Sequence, residues 1–326
     1  MLGFVKRIVH SSVWLSHLNY FKGQVMFRLG ISAHKSGSTH SHMDIDASVQ
    51  YVKDIFADYI HYGGVDEQWI RGKHILEIGP GDNLGAGLLF LAKGAASYLA
   101  VDRFFAGTDE RRNEIIYRRL YDGLSEKEKE AISDTVTLVG DDGARLQGDR
   151  LSAIYDCAIE KLKERKPDAE FDVVLSRAVL EHVYELDEAW RNMVALLAPD
   201  GRMWHKVDFR NHGLYSQFHP LYFLTISSGL WRIISQPDPT LNRCRIGQYK
   251  RLGAAHFDNT KIYYSNILDH PESVPHWEQL ELGEQYEQKD LDCVNAIRPQ
   301  LAREYKDLTD EDLLVCGAFV ACDGKK

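Results

Sequence analysis

The sequence has no C-x-x-C pair, and its five cysteines, Cys157, Cys244, Cys293, Cys316 and Cys322, are odd in number and scattered. That spacing argues against a zinc ribbon and a disulfide framework, and leaves a reducing, cytoplasmic setting as the expectation. No apolar run approaches the roughly 18 residues of a membrane span. A basic excess is missing too. Lys and Arg number 39 against 48 Asp and Glu, a formal net charge of -9. A chain of that sign lacks the footprint of a nucleic-acid binder, so no nucleic-acid partner is expected. Internal repeats and low-complexity tracts are absent. What is present is 326 residues, 44% hydrophobic and 27% charged, the make-up of a globular protein with a sizeable core.

One further absence is local. Residues 1–43 contain no Asp or Glu, but carry Lys6, Arg7, Lys22, Arg28 and Lys35. Phe4, Val5, Ile8, Val9, Val13, Trp14, Leu15 and Leu18 fall near helical spacing. The stretch lacks the continuous apolar core and cleavage site of a secretory signal. Residues 1–43 therefore read as a basic amphipathic extension of the main domain, residues 44–326. Its expected partners are the domain itself or, through residues 1–30, a peripheral membrane surface.

Ser36 to Ser41 reads as a linker. A helix through Val49, Val52, Ile55, Phe56, Tyr59 and Ile60 follows, stopped by Gly63-Gly64. From His74 onward strands and helices alternate, which predicts an α/β fold with a mainly parallel sheet and helices on both faces. His74–Gly79, Ser97–Asp102, Val136–Val139, Phe171–Ser176 and Met203–Phe209 read as its five strands. Lys261–Ile267 and Leu313–Ala321 read as late additions. Helices are expected at Leu84–Lys93, Asp109–Leu120, Ser125–Ile132 behind a Ser125/Glu128 capping box, Leu151–Arg165 and Leu186–Leu197. Residues 210–259 are less regular and read as an insertion after the fifth strand.

The strongest pattern is His74-Ile75-Leu76-Glu77-Ile78-Gly79-Pro80-Gly81-Asp82-Asn83-Leu84-Gly85, a buried strand running into a glycine turn and a helix. Gly79 and Gly81 let a ligand approach the backbone closely. Asp102, 21 residues past Gly81 at the end of the second strand, can accept two hydrogen bonds from ribose hydroxyls. Nicotinamide and S-adenosylmethionine binders share these features.

Glu77, two residues ahead of Gly79, completes an E-x-G-x-G pattern that resembles motif I of class I S-adenosylmethionine-dependent methyltransferases. Gly85 falls one position late for the dinucleotide-binding G-x-G-x-x-G. Gly140-Asp141-Asp142-Gly143-Ala144-Arg145-Leu146 resembles that family's adenine-binding segment after the third strand, with Asp142 at the acidic position and Asp141 its competitor. Phe171 to Val183 resembles the fourth strand and its loop, Leu197 to Gly201 the turn before the fifth, and Leu308 to Val315 the approach to the terminal hairpin. The resemblance implies a Rossmann-like class I methyltransferase sheet and S-adenosyl-L-methionine as cofactor. It places Glu77 and the backbone near Gly79 and Ser176 around the methionine moiety, Asp102 on the ribose, and Asp142 with Gly143 beside the adenine. An NAD(P)-dependent oxidoreductase and a non-catalytic S-adenosylmethionine-binding scaffold are the alternatives. Glu77 and Leu180-Glu181-His182 disfavour the first.

The expected activity is O-methylation of a small molecule or glycan. Positioning supplies much of such a reaction, and a hydroxyl acceptor also needs a base. His182, Asp208, His205 and His212 are the candidates, with His219 further along, because open α/β sheets bind ligands beyond the carboxyl ends of their strands. Strand alternation puts His205 and Asp208 on opposite faces. Asp208, Arg210, His212 and His219 have no compact ligand spacing, so no metal is expected. Asn242-Arg243-Cys244-Arg245 with Tyr249-Lys250-Arg251 reads either as a solvated face or as a wall for an anionic acceptor.

Overall fold

Short, continuously apolar strands need cover on both sides, and this chain supplies it with helices. A computed structural model describes residues 12–31, 37, 39–105, 107–215, 217–236, 240–268, 278, 280, 281 and 283–326. Strands β1 (His74–Ile78), β2 (Ser97–Val101), β5 (Leu151–Ile154), β6 (Phe171–Arg177) and β7 (Leu197–Asp208) run parallel. Strand β9 (Val315–Lys325) inserts antiparallel between β7 and β8 (Phe257–Ile267). The order across the sheet is β5-β2-β1-β6-β7-β9-β8. The chain moves outward one way from β1 and returns to start β6 on its other side, so a crevice opens at the carboxyl ends of β1 and β6.

Alternation along the strands divides the core in two. Ile75, Tyr98, Val173, Leu175 and Trp204 pack under α2 (Ile45–Tyr62), α3 (Gly85–Ala92) and α4 (Glu110–Asp122). Leu76, Ile78, Val174, Met203 and Val207 pack under α6 (Ile159–Arg165), α7 (Leu186–Leu196) and α9 (Ile246–His256). Helix α3 is Gly-Ala-Gly-Leu-Leu-Phe-Leu-Ala and is buried on every side. Helix α2 starts on Asp44, whose side chain accepts from the Ala47 amide at 2.8 Å. Helix α5 (Glu126–Ala131) starts on the expected Ser125/Glu128 capping box.

The third strand differs from expectation. Val136–Val139 forms β3, but it pairs with β4 (Gly143–Leu146) in a separate two-stranded hairpin. Its four residues are partly buried or exposed, with Leu138 48% exposed, so they could not sit in a sheet covered on both faces. The strand beside β2 is β5, cut from the front of what reads as one helix, Leu151–Arg165. The linker beyond β2 is therefore even longer than the sequence suggests, and α4, α5 and the hairpin fill it.

The amino-terminal helix α1 (Val13–Arg28) leans on α8 (Ser228–Ser235). Ser16 and Gln24 are buried, and Nδ1 of His17 lies 2.5 Å from the Tyr215 hydroxyl. Trp14, Leu18 and Phe21 face outward at 80%, 62% and 43% exposure. The helix is thus not the amphipathic one expected: apolar residues lie on both sides of it, with Tyr20, Val25 and Phe27 part-buried and Trp14, Leu18 and Phe21 exposed. The rest of the expected extension, residues 1–11 with Lys6 and Arg7, and Lys35 with Ser36, lies outside the described residues. No helix among the described residues is long and apolar enough to cross a membrane.

The insertion at 210–259 corrects the reading of an anion-binding wall. Arg243 and Arg245 are buried. Arg243 donates to the carbonyls of Phe223 and Ile226, and Arg245 to those of Asp312, Phe209 and Val315 at 2.6–2.8 Å. A guanidinium carries five donors, and buried carbonyls at the ends of neighbouring elements take several of them. Lys250 and Arg251 are likewise taken, by Glu311 and Asp187. Arg245→Leu should leave three carbonyls without a donor and cost about 3–5 kcal/mol of stability. Urea unfolding measures it, and a loss under about 1 kcal/mol would mean that the carbonyls find other donors.

Candidate active site

The crevice at the switch in strand order holds a cleft of about 570 Å³, within the range of small-molecule sites. Glu77, Gly79 and Gly81 line it from β1 and the turn that follows, Asp102 from the end of β2, and Arg177 to Val179 from the end of β6. His182 and His212 line its far side. The expected glycine turn, Asp102 and two of the candidate bases therefore share one cavity.

Gly79 and Gly81 both have φ of +68°. At Gly79 an added Cβ would collide with the Val179 side chain, and at Gly81 it would lie 2.7 Å from the Gly37 carbonyl oxygen. Only glycine fits both the conformation and the space. Glu77 is buried, and its Oε2 has no hydrogen-bond partner. Burial, with the charge of Asp102 adding to it, pushes its carboxyl up to about 7. Asp102 accepts from the Phe104 amide at 2.9 Å, while its own backbone is tied to Ile154 and Cys157.

Asp142 and Gly143 do not join this cleft. Asp142 is exposed on the β3–β4 hairpin and ion-paired to Arg111 at 2.6 Å. Gly143 begins β4. The segment that follows the third strand of the sheet is instead 155–160, whose Cys157, Ala158, Ile159 and Glu160 line the cleft. Asp156 there adopts a left-handed φ of +55°. The Asp-Asp-Gly sequence drew attention away from Tyr155-Asp156-Cys157.

Ser176 and His205 meet each other rather than the cleft. Both are fully buried, with Ser176 Oγ 2.8 Å from His205 Nδ1. Burial pushes the imidazole down to about 3, so it is neutral and a very weak base. Ser176 belongs to the β6 strand end, one residue short of the cleft wall at Arg177. Trp190 packs on the opposite flank of His205.

His182 and His212 stand edge to face, with ring centroids 5.0 Å apart and planes at 90°. His212 has φ of +51°, a left-handed conformation that costs a non-glycine residue about 1–2 kcal/mol. Its Nε2 lies 3.9 Å from Asp208 Oδ1. Arg210 grips both Asp208 oxygens, at 2.9 Å from Oδ1 and 2.5 Å from Oδ2. Asp208 is mostly buried and its carboxyl is held below its ordinary value, against the cost of burial, by Arg210 and His212. Glu181, beside His182, is completely buried, which holds its carboxyl well above the usual range.

Three further residues escaped sequence reading. Gly37, Thr39 and His40, in the stretch read as a linker, form a wall of the cleft. Buried Asp82 holds that wall by accepting from the amides of His40 at 3.2 Å and Ser41 at 2.9 Å, and from the Ser41 hydroxyl. Arg112 Nε donates to the His40 carbonyl at 2.7 Å. Asp82 was visible inside the glycine motif, but its partners lie 41 and 42 residues upstream, and spacing alone does not show that contact.

Comparison with known proteins bears on this geometry. A family profile described as a methyltransferase domain matches residues 56–243, more than half of the chain. No curated protein sequence matches. Among solved structures, a phosphoethanolamine N-methyltransferase 2 from Haemonchus contortus with S-adenosylhomocysteine is 17% identical, with a TM-score of 0.40. The alignment covers 83% of this chain, which spans 52% of that one. A putative sarcosine dimethylglycine methyltransferase from Galdieria sulphuraria is 14% identical over 86% of this chain and 87% of that one, with a TM-score of 0.43.

Glu77 gives a test that needs no ligand. Its carboxyl ordinarily titrates at 4.5 and in the fold at about 7. Between those values the folded chain keeps a proton that the unfolded chain has released, so stability falls as pH rises through that window. At about 1.4 kcal/mol per pH unit the fall is about 3 kcal/mol. Glu77→Gln should remove this part of the slope. Urea midpoints at pH 5 and pH 7.5 measure it; equal slopes for the two proteins would reject a buried, proton-holding Glu77.

Proposed function

The chain belongs to the methyltransferase-domain family and is an S-adenosylmethionine-dependent methyltransferase, and we propose that it methylates a hydroxyl oxygen of a small molecule or glycan. The observation that carries this reading is one continuous cleft, with a glycine turn and two strand-end carboxylates on one side and His182 with His212 on the other.

The cleft fits the cofactor. Glu77 offers a buried carboxylate oxygen without a partner, Gly79 and Gly81 leave room that a Cβ would fill, and Asp102 ends β2 where a ribose-binding acid belongs. Glu77, Gly79, Gly81 and Asp102 would hold S-adenosylmethionine, with Cys157 to Ile159 in place of Asp142 and Gly143 along the wall. When bound, the cofactor supplies a methyl carbon on a positively charged sulfur, which keeps the electron pair as the carbon departs.

The chain's own part is to orient the acceptor and take its proton. Of the four expected bases, His182 and His212 line the cleft, Asp208 backs His212, and His205 is set aside by its burial and neutrality. A histidine beside the acceptor hydroxyl takes the proton as the oxygen bonds to the methyl carbon.

The measurement is calorimetry followed by turnover on an identified acceptor. S-adenosylmethionine should bind and NADH should not. Asp102→Ala should weaken S-adenosylmethionine by about 10- to 100-fold, the loss of charged hydrogen bonds. His182→Asn should lower turnover by about 100-fold or more with that affinity unchanged. NADH binding in place of S-adenosylmethionine would sink the reading. Normal turnover in His182→Asn and His212→Asn alike would discard the base, and binding without turnover on any acceptor would leave a scaffold.

A second reading concerns where the enzyme works. Helix α1 turns Trp14, Leu18 and Phe21 outward beside exposed Lys22 and Arg28, in a segment without a single acid. An anionic bilayer complements both features: the rings enter the interface and the cations meet lipid headgroups. Paired Trp14→Asp and Leu18→Asp replacements should abolish sedimentation with phosphatidylglycerol vesicles while S-adenosylmethionine affinity stays unchanged. Point changes are preferable to deletion, because α1 is anchored through His17 and Tyr20 to Tyr215. Equal sedimentation of the variant and the parent, or none by the parent, would reject the membrane contact.

A further inference from the structure

Glu181, His182 and His212 each bring one ligand atom within 4.8 Å of the others. We propose that these three residues bind a divalent cation at the acceptor side of the cleft. The inference rests on the methyltransferase reading, and it revises the expectation of a metal-free site, which considered Asp208, Arg210, His212 and His219 and passed over Glu181.

The buried carboxylate is the first support. Glu181 is 0% exposed, and no side chain hydrogen-bonds either of its oxygens, although the backbone amides of Glu181 and Asp208 approach them. Elsewhere the buried guanidinium groups have protein partners. Arg245 spends its donors on three carbonyls, Arg243 on two and a hydroxyl, and Arg177 meets Asp58 at 2.6 Å. A carboxylate without a side-chain partner, next to two imidazoles, is what a cation site shows before the cation is added.

The imidazoles are the second support. The rings stand perpendicular with centroids 5.0 Å apart, and each brings one nitrogen within 4.8 Å of the other's and of a Glu181 oxygen. His212 reaches that position only through a left-handed backbone, a strained conformation in a non-glycine residue at the cleft. Asp208, pinned by Arg210, lies 3.9 Å from His212 Nε2 and is placed to orient it, as outer carboxylates do for ligating histidines. Bonds of about 2.0–2.2 Å to a cation would need the three atoms roughly 3 Å apart, so small side-chain rotations close the site.

Two nitrogens and one oxygen suit Mn²⁺, Fe²⁺, Co²⁺ or Zn²⁺ better than Ca²⁺. His182 and His212 line the cleft, so the open positions of the cation face the space where an acceptor oxygen would sit. A hydroxyl bound there loses its proton to solvent more readily, and its oxygen is held for attack on the methyl carbon. Two neighbouring hydroxyls, or a hydroxyl beside a carbonyl, would chelate the cation best. The acceptor class that follows is a catechol, a vicinal diol or a hydroxy-ketone.

The test is binding, measured without turnover. Tag-free protein is stripped with chelator and titrated with Mn²⁺ by calorimetry and by the loss of the free-ion magnetic resonance signal, then with Zn²⁺. One equivalent should bind. Glu181→Gln and, separately, His212→Asn should each weaken it at least 10-fold, with S-adenosylmethionine affinity retained. His212 is exposed, so its replacement reports even if the Glu181 variant fails to fold. Asp102→Ala should lose S-adenosylmethionine affinity and keep the ion. No saturable binding of either ion, or equal binding by parent and His212→Asn, would overturn the proposal. If the ion fails while S-adenosylmethionine binds and His182→Asn stays slow, the general base stands alone. Failure of S-adenosylmethionine to bind would instead strike the enzyme reading itself.

Discussion

Both faces of the seven-stranded sheet are roofed by helices, so a polar group that must meet a ligand has only the strand ends on which to stand. That constraint organises the molecule. Residues 75, 76 and 78 of β1 are apolar because helices cover them, and Glu77 is the exception only because it points to the crevice beside Gly79. The same rule sets Asp102 at the end of β2 and Arg177 at the end of β6. Deep in the sheet, Ser176 Oγ and His205 Nδ1 pair with each other away from water, while His205 Nε2 has no hydrogen-bond partner of its own.

Charge is buried in two distinct ways. Arginines 243 and 245 disappear into the insertion by donating to carbonyls that helix and strand ends leave over. Arg245 rivets the insertion to the end of the sheet through Phe209 and Val315, and Arg243 ties the insertion to itself, so neither stands as an exposed charge for a ligand. Glu77 is buried with one oxygen, and Glu181 with both, that no side chain satisfies; Glu77 lines the cleft and Glu181 lies beside His182, which also lines it. Burial holds both carboxyls toward their protonated form, so the groups beside the cleft are proton-holding and have hydrogen-bonding capacity that no side chain fills at Glu77 Oε2 or at Glu181.

Much of this was legible in the sequence. The strand and glycine turn at 74–85, the acid at 102 and the β6 strand with its loop were visible because each is a local pattern of burial and backbone freedom. The third strand was not. Val136–Val139 has the composition of a strand, and only the exposure of Leu138 shows that it lies off the sheet. Leu151–Ile154 hides in a segment of helical periodicity. The basic cluster at 242–251 was misread because sequence gives charge but not burial, and carbonyl acceptors such as Phe209 and Val315 leave no trace in side-chain chemistry. Helix α1 was expected to be amphipathic and is not, and which of its mixed sides faces inward depends on Tyr215, almost 200 residues away.

The clamp between Asp82 and the backbone of His40 and Ser41 makes one wall of the cleft a tenant from a distant stretch of chain. Each of those charge-assisted hydrogen bonds is worth about 1.5–3 kcal/mol, comparable to what a local opening costs in a mobile region. The pocket is therefore only as complete as the docking of that stretch. By linkage, a molecule that binds against the His40 wall favours the state in which His40 and Ser41 are docked on Asp82, and whatever favours that docking strengthens its binding. Affinity in the cleft and the docking of His40 and Ser41 on Asp82 are two sides of one equilibrium.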